Sequence, residues 1–148
     1  MKIALGSDHG GIVLKDAVIR AVRDLGMEYE DYGTFGTESV DYPDYAEKVG
    51  RAVAGGKADK GVLLCGTGIG ISIAANKIRG IRAAHVTDAF SAQMAAEHND
   101  ANILCMGGRI TKPEDAYEFT KIFLTTPFAG GRHATRVEKI MRLENADE

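Results

Sequence analysis

The middle of this 148-residue chain joins a cysteine to a glycine-rich turn. The sequence Cys65-Gly66-Thr67-Gly68-Ile69-Gly70 leads directly into an apolar helical pattern over residues 71–76. Amides at such a turn point outward and can stabilise an oxyanion. The positive end of the following helix favours the thiolate form of Cys65, and a thiolate can take a proton. The segment therefore predicts an oxyanion site beside a base; the alternative is a tight turn with a small, buried cysteine.

The glycine pattern does not match a nucleotide-binding motif. A dinucleotide fingerprint needs Gly or Ala at position 71, where this chain has Ile, and it follows the first strand rather than the third. No Gly-Lys-Ser/Thr sequence closes the loop, as a Walker motif would require. A nucleotide-binding module is therefore only a remote alternative.

Other polar residues follow other predicted strands. Asp8 and His9 come after the first strand, Arg109 follows the fifth, and His98 and Asn99 end the helix after the fourth. Ligands of open parallel sheets bind at the carboxyl ends of the strands, so these residues are candidates for one site. Taken singly, Asp8 could cap a helix N-terminus and His98 a helix C-terminus.

Two arginines near the C-terminus, Arg132 and Arg136, have the spacing of one helix face. If the last helix has begun by Arg132, their guanidinium groups lie on successive turns and can chelate a phosphate. Lys139 and Arg142 belong to the same helix, so a solvated basic face is the alternative.

The two cysteines are not spaced for a disulfide framework or a zinc site. Reduced thiols are usual in the cytoplasm, where we expect this protein. Cys105 lies in the apolar run 103–106 with no glycine turn after it, so we predict a buried, unreactive side chain.

Composition excludes several other classes of protein. The net charge of −3 is inconsistent with a nucleic-acid-binding surface, although a local basic pocket could still bind a small anion. The apolar runs are far shorter than the roughly 20 residues of a membrane span, and we expect no targeting segment. We predict a protein that acts on neither nucleic acid nor membrane.

Short β-rich runs alternate with helical patterns, which is typical of a parallel sheet covered by crossover helices. Strands are predicted at residues 2–7, 28–32, 61–65, 82–86 and 102–106. Helical patterns end at Gly26 and at Gly55, a helix capped by Thr111 runs to Thr125, and a last helix spans 133–143. We predict one α/β domain over residues 1–148, with five strands in one sheet.

Six motifs, in order along nearly the whole chain, resemble one enzyme family. They are GSDHGG at 6–11, DYPDYA at 41–46, CGTGIGISIAANK at 65–77, GIRAA at 80–84, HNDAN at 98–102 and GGRH at 130–133. Together they are similar to the type B ribose-5-phosphate isomerases, which are grouped with the galactose-6-phosphate isomerase subunits. The resemblance implies a Rossmann-like, three-layer α/β sandwich that needs no cofactor and no metal. It also implies a homodimer or a dimer of dimers whose active sites are shared between subunits.

The resemblance also implies roles for individual residues. One branch of the family uses a cysteine as the carbon base and another a glutamate at the position of Ala75, so this chain resembles the cysteine branch. Cys65 would move a proton between C2 and C1 of a sugar phosphate through a cis-enediolate, after ring opening assisted by Asp8 and His98. The resemblance implies that Gly66, Thr67, Gly68 and Gly70 hold the enediolate, with Asn99 from the second subunit. It implies that His9, Arg132, Arg136 and Arg109 hold the phosphate, with Arg109 reaching across the interface.

Ribose 5-phosphate and ribulose 5-phosphate are the substrates that the resemblance favours. Allose or galactose 6-phosphate is the alternative within the family, because the sequence does not measure the distance between base and phosphate site. A non-catalytic sugar-phosphate sensor is the alternative from another class of protein. It would bind sugar phosphates equally well after replacement of Cys65.

Overall fold

The computed structural model describes residues 1–146, which form a five-stranded, entirely parallel sheet in the order β2-β1-β3-β5-β4. Asp147 and Glu148, part of the predicted domain, lie outside the described residues. The predicted sheet is confirmed, and the strand ends differ from the prediction by at most one residue. The strands are β1 Lys2–Ser7, β2 Glu28–Asp31, β3 Lys60–Cys65, β4 Ala83–His85 and β5 Ile103–Gly107.

Helices cover both faces of the sheet. They are α1 Lys15–Asp24, α2 Tyr42–Ala54, α3 Ile69–Ala75, α4 Ala89–Glu97, α5 Pro113–Thr125 and α6 Arg132–Arg142. Helices α1, α4 and α5 pack on one face, and α2 and α3 pack on the other. This is the predicted three-layer, Rossmann-like α/β sandwich.

Burial on both faces explains why the three central strands β1, β3 and β5 are almost wholly apolar. In β1, Ile3 and Leu5 belong to the core under α1, α4 and α5, whereas Ala4 belongs to the core under α2 and α3. All three are at most 1 % exposed. A strand buried on both sides has no room for polar side chains, so the polar residues concentrate where the strands end.

The predicted cap of α5 is wrong. Lys112, in extended backbone conformation, is the N-cap, and Pro113 begins the helix. Thr111 belongs instead to the turn after β5, because its N–H donates to the carbonyl of Gly107. The end of α1 is as predicted, with Gly26 in the left-handed region at φ +71°.

The loops after β1, β3 and β5 touch one another through their backbones. A Cβ on Gly11 would lie 2.4 Å from the carbonyl carbon of Leu64, and one on Gly107 would lie 2.3 Å from that of Thr67. Both distances are below any real Cβ contact, so these loops approach closely only because the two positions are glycine. The contacts fix the carboxyl edge of the sheet as one unit.

Within residues 1–146, no helix has the length and apolar character that crossing a membrane requires.

Gly11→Ala should destabilise the protein, since its new methyl group meets backbone rather than a mobile side chain. We expect the free energy of unfolding to fall by about 1–3 kcal/mol, as for other overpacked sites. Gly36→Ala is the matched control, because a Cβ there meets nothing within 4 Å. Urea denaturation of both variants at one protein concentration measures the difference, and equal stabilities would contradict the predicted packing.

Candidate active site

A cleft of about 440 Å³ opens at the carboxyl edge of the sheet, above β1, β3 and β5. This volume is in the range of small-molecule sites. The lining residues come from the three strand-end loops and from the start of α2; they are Asp8, His9, Gly10, Tyr42, Cys65, Gly66, Thr67, Ile69, Gly70 and Arg109. The sequence predicted seven of these ten as site residues.

Cys65 is the last residue of β3 and lies in the wall of the cleft. Cys65 is only 4 % exposed and belongs to the core under α2 and α3, and it also lines the cleft. The N–H of Gly68 donates to the Cys65 Sγ over 3.1 Å. A hydrogen bond of this kind stabilises a charged acceptor more than a neutral one. The geometry therefore suits a sulfur that acts as a base.

Cys105 is a different kind of cysteine, as predicted. It lies inside β5, is 0 % exposed and packs in the core under α2 and α3. Burial, and secondly the charge of Cys65, raise the pKa of the Cys105 thiol far above its usual range. A thiol held neutral in this way does not serve as a base near neutral pH.

Several hydrogen bonds hold the turn from Cys65 to Gly70 in shape. The carbonyl groups of Cys65 and Gly66 accept from the amides of Gly108 and Arg109, at 2.8 and 2.9 Å. Gly68 adopts φ +83°, a conformation that favours glycine. Helix α3 begins at Ile69, two residues earlier than the apolar pattern suggested, and its first N–H donates to the Thr67 hydroxyl oxygen over 3.2 Å.

Gly70 is glycine for a different reason, namely the ring of Tyr42. A Cβ at position 70 would lie 2.6 Å from the ring carbon that carries the hydroxyl. The aromatic ring thus covers the start of α3 and forms part of the cleft wall. We therefore assign Gly70 to the shape of the cleft rather than to the flexibility of the turn.

Asp8 both closes its own turn and lines the cleft. Its Oδ1 accepts from the amides of Gly10 and Gly11, at 2.8 and 3.0 Å. Asp8 does not cap a helix, because Gly11 is the N-cap of the short 3-10 helix Ile12–Leu14 and no side chain bonds to that helix start. Its carboxylate instead closes the turn before this helix and lines the cleft. The side chain is held in a single position beside the cleft.

The ring of His9 is oriented by a backbone amide. Its Nδ1 lies 3.1 Å from the amide nitrogen of Val40, whose N–H donates to it. Because Nδ1 is an acceptor here, a neutral ring carries its hydrogen on Nε2. His9 can therefore donate from Nε2 to an anion, as expected for a phosphate contact.

Arg109 lines the cleft of its own chain, and the expectation that it reaches across an interface stays a prediction. Its backbone N–H donates to the carbonyl of Gly66, and this brings the side chain over that residue. The guanidinium carbon lies 3.3 Å from where a Cβ of Gly66 would be. Arg109 is therefore placed to neutralise an anion beside Cys65.

A second group of predicted residues does not line this cleft. His98 caps the C-terminal end of α4, and its ring stacks on that of His133 with the centroids 4.0 Å apart. Arg132 and Arg136 lie on successive turns at the start of α6, as the sequence predicted. Desolvation and then the charges of His98, Arg132 and Arg136 lower the pKa of His133, while Glu97 opposes them. These side chains form a cationic group, the α4–α6 cluster, apart from the cleft.

Asn99 lies in a different cavity. A space of about 550 Å³ separates the β4 edge from α6, and its lining is largely apolar. Ile81, Ile140, Met141 and Leu143 contribute large apolar side chains to that lining, which also includes Asn99. This cavity lacks the thiol and the glycine turn, so we do not assign the chemistry to it.

Three residues that line the cleft, contact the glycine turn or belong to the α4–α6 cluster were missed from the sequence. Tyr42 belongs to a family-like motif but was given no role, although its position at the start of α2 was a usable signal. His133 follows directly on Arg132 and could have been included on that ground. His85 at the end of β4 contacts the glycine turn, and no spacing rule in the sequence identified it.

Among the residues that the structure describes, no group of three or more His, Cys, Asp or Glu side chains is arranged to hold a metal ion. The expectation of an activity without metal or cofactor stays a prediction.

Comparisons with known proteins agree with the fold and the motifs. Residues 3–140 match the model of the Ribose/Galactose Isomerase family. Ribose-5-phosphate isomerase B of Escherichia coli is 47 % identical over 143 residues, which cover 97 % of this chain and 96 % of the relative.

Two solved structures also superpose closely. That of Clostridium thermocellum ribose-5-phosphate isomerase B has a TM-score of 0.96 and 51 % identity, with all of both chains covered. That of the Mycoplasma genitalium enzyme, with bound ribulose-5-phosphate, has a TM-score of 0.93 and 35 % identity, covering 98 % of this chain and 97 % of the other.

The family resemblance read from the six motifs is confirmed by the match over residues 3–140 and by relatives of similar length and fold. This chain belongs to the ribose/galactose isomerase family.

Proposed function

We propose that this protein interconverts D-ribose 5-phosphate and D-ribulose 5-phosphate, with Cys65 as the carbon base. The observation that carries the proposal is the Cys65 sulfur in the cleft wall, beside a glycine turn and the Arg109 guanidinium. Relatives named ribose-5-phosphate isomerase B support the substrate, and one of them binds ribulose-5-phosphate.

The isomerisation moves one proton between neighbouring carbons. The Cys65 thiolate takes the C2 proton of the open-chain aldose, and the electron pair becomes the C1–C2 double bond of an enediolate. The C1 oxygen thereby gains negative charge, which the amides of the turn from Gly66 to Gly70 and the Thr67 hydroxyl stabilise. Returning the proton to C1, together with proton transfer between the two oxygens, gives the ketose. The thiol is regenerated as a thiolate, so no external reductant or oxidant enters.

Ring opening and phosphate binding complete the proposed roles. Asp8 and His98 transfer the protons that leave O1 and reach the ring oxygen. Asn99 from a second subunit contributes a hydrogen bond to the enediolate. The phosphate is held by the Nε2–H of His9 and by the guanidinium groups at positions 109, 132 and 136, because planar guanidinium donors match the geometry of phosphate oxygens.

We further propose a homodimer, or a dimer of such dimers, in which each site uses two chains. The α4–α6 cluster carries the predicted His98, Arg132 and Arg136 but does not line the cleft of its own chain. In helix α6 only Val137 is buried, whereas Ile140 is 44 % exposed. If a second subunit covers α6, the α4–α6 cluster of one chain would lie next to the Cys65 cleft of the other.

The two free thiols support a cytoplasmic location, because reduced cysteines are usual there.

Cys65→Ala should abolish isomerisation without unfolding the protein. We expect kcat to fall by roughly 10²–10⁴-fold, the usual contribution of a general base. Exchange of the substrate C2 proton with solvent, followed by NMR in D₂O, should fall equally. Cys105→Ala is the matched control and should keep most of the activity, since Cys105 lies in the core. Undiminished C2 exchange in Cys65→Ala would overturn the assignment of the base. A wild-type protein that binds sugar phosphates as tightly as Cys65→Ala does, but does not turn them over, would favour a sensor.

Shared sites predict that two inactive variants complement each other. Cys65→Ala and the double variant Arg132→Ala/Arg136→Ala are co-expressed with different affinity tags, and mixed dimers are isolated with both tags. Each mixed dimer contains one complete site, so its activity should be about half that of wild type. The two pure variants serve as controls. Mixed dimers as inactive as the controls would show that each site lies within one chain.

Substrate choice should follow the distance between base and phosphate site. Because a hexose 6-phosphate has one more carbon, its phosphate and C2 do not both fit a site built for a pentose. We expect kcat/KM for ribose 5-phosphate to exceed that for allose or galactose 6-phosphate by roughly tenfold or more. A coupled ketose assay on all three sugars, with Cys65→Ala as blank, measures this. A preference for either hexose phosphate would replace the pentose assignment.

A further inference from the structure

His85 lies outside the cleft but contacts the turn that carries the chemistry. It is the last residue of β4, its side chain is exposed, and its Nε2 lies 2.8 Å from the Thr67 carbonyl oxygen. A carbonyl oxygen only accepts, so Nε2 carries the hydrogen and donates it. Since His85 does not line the cleft, its effect on a bound sugar would pass through the turn.

The peptide unit that His85 contacts is the one that contacts the sulfur. The Thr67 carbonyl and the Gly68 amide belong to the same peptide group, and the Gly68 N–H donates to the Cys65 Sγ over 3.1 Å. A peptide group is planar, so its C=O and N–H point in opposite directions and holding one orients the other. Hydrogen bonds linked through one peptide group also polarise each other. His85, the Thr67–Gly68 peptide and Cys65 therefore form one chain of hydrogen bonds.

Two details make this series of hydrogen bonds depend on the His85 side chain. Of the carbonyls at positions 65, 66 and 67, the first two accept from the backbone amides of Gly108 and Arg109, and the third accepts from His85. The ring also packs against the bare α-carbon of Gly68, where a Cβ would lie 2.8 Å from the His85 Cδ2. His85, the last residue of β4, thus holds the orientation of the Thr67–Gly68 peptide.

We propose that His85 is a positioning residue for Cys65, because it holds the Thr67–Gly68 peptide so that its N–H faces the sulfur. The kinetic consequence rests on the proposed role of Cys65 as the base, whereas the hydrogen-bond chain does not. His85 thereby supports the reactive thiolate without contacting substrate.

The test compares His85→Leu, which removes the donor, with His85→Gln, whose Nε2 amide donates from nearly the same place. The rate of Cys65 alkylation by iodoacetamide at pH 7 should fall in His85→Leu by roughly three- to tenfold, the range of one net hydrogen bond, and should largely recover in His85→Gln. We expect kcat to fall in parallel and KM to stay unchanged. The amide proton of Gly68, observed by NMR, should move upfield in His85→Leu only.

Ser72→Ala is the matched control, because it removes another hydrogen bond of the same helix start, from the Ser72 hydroxyl to the Ile69 carbonyl, without touching the Thr67–Gly68 peptide. It should leave the Gly68 resonance and the alkylation rate unchanged. An unchanged Gly68 resonance in His85→Leu, or equal losses in the Leu and Gln variants, would overturn the proposal. If instead Cys65→Ala remains active while the Gly68 resonance responds as expected, the hydrogen-bond chain stands and the assigned base is wrong.

Discussion

The close contact between the loops after β3 and β5 is the constraint on which the candidate site depends. Gly107 lies so near the backbone of Thr67 that no side chain fits between them. The amides of Gly108 and Arg109 then donate to the carbonyls of Cys65 and Gly66, and within the turn the Gly68 amide donates to the Cys65 sulfur. A turn held in this way needs little reorganisation when charge develops on a bound oxygen, and preorganisation of that kind is a main source of enzymatic rate enhancement.

The fold could be predicted from the sequence because its signals are local and repeated. A strand such as 61–65 is wholly apolar, ends in Cys65-Gly66 and precedes a helical pattern, so its type and its end are both apparent. Thr111 shows where such reasoning fails. It has the ideal residue type for a helix cap, but a tertiary turn after β5 uses its backbone instead, and Lys112 takes the cap position. Local preference is weak against a hydrogen bond that the packed loops impose.

The site was only partly predictable, for a related reason. The carboxyl ends of parallel strands share one edge of the sheet, so Asp8, His9 and Cys65 could be grouped from the predicted strand ends alone. The position of the α4–α6 cluster depends on the orientation of α6 relative to the sheet, and no residue pattern in the sequence predicts that orientation. His85 is a third case. Its contact with Thr67 arises because β4 pairs with β5 at the sheet edge, which becomes apparent only from the strand order.

Comparison of the two cysteines shows how small a difference in register separates a cysteine enclosed by the core from one that lines the cleft. Leu63 pairs with Cys105, and Cys65 pairs with Gly107, so the two thiols lie on adjacent strands, on the same face, two residues apart. Cys105 is enclosed by the core, which disfavours its charged form. Cys65 is at the point where the strand gives way to a turn, and there a backbone N–H faces the sulfur. Burial is nearly equal for the two residues, at 0 % and 4 % exposure, so burial does not distinguish them. What distinguishes them is the donor at Gly68 and the open cleft, and both follow from the position of Cys65 at the end of its strand.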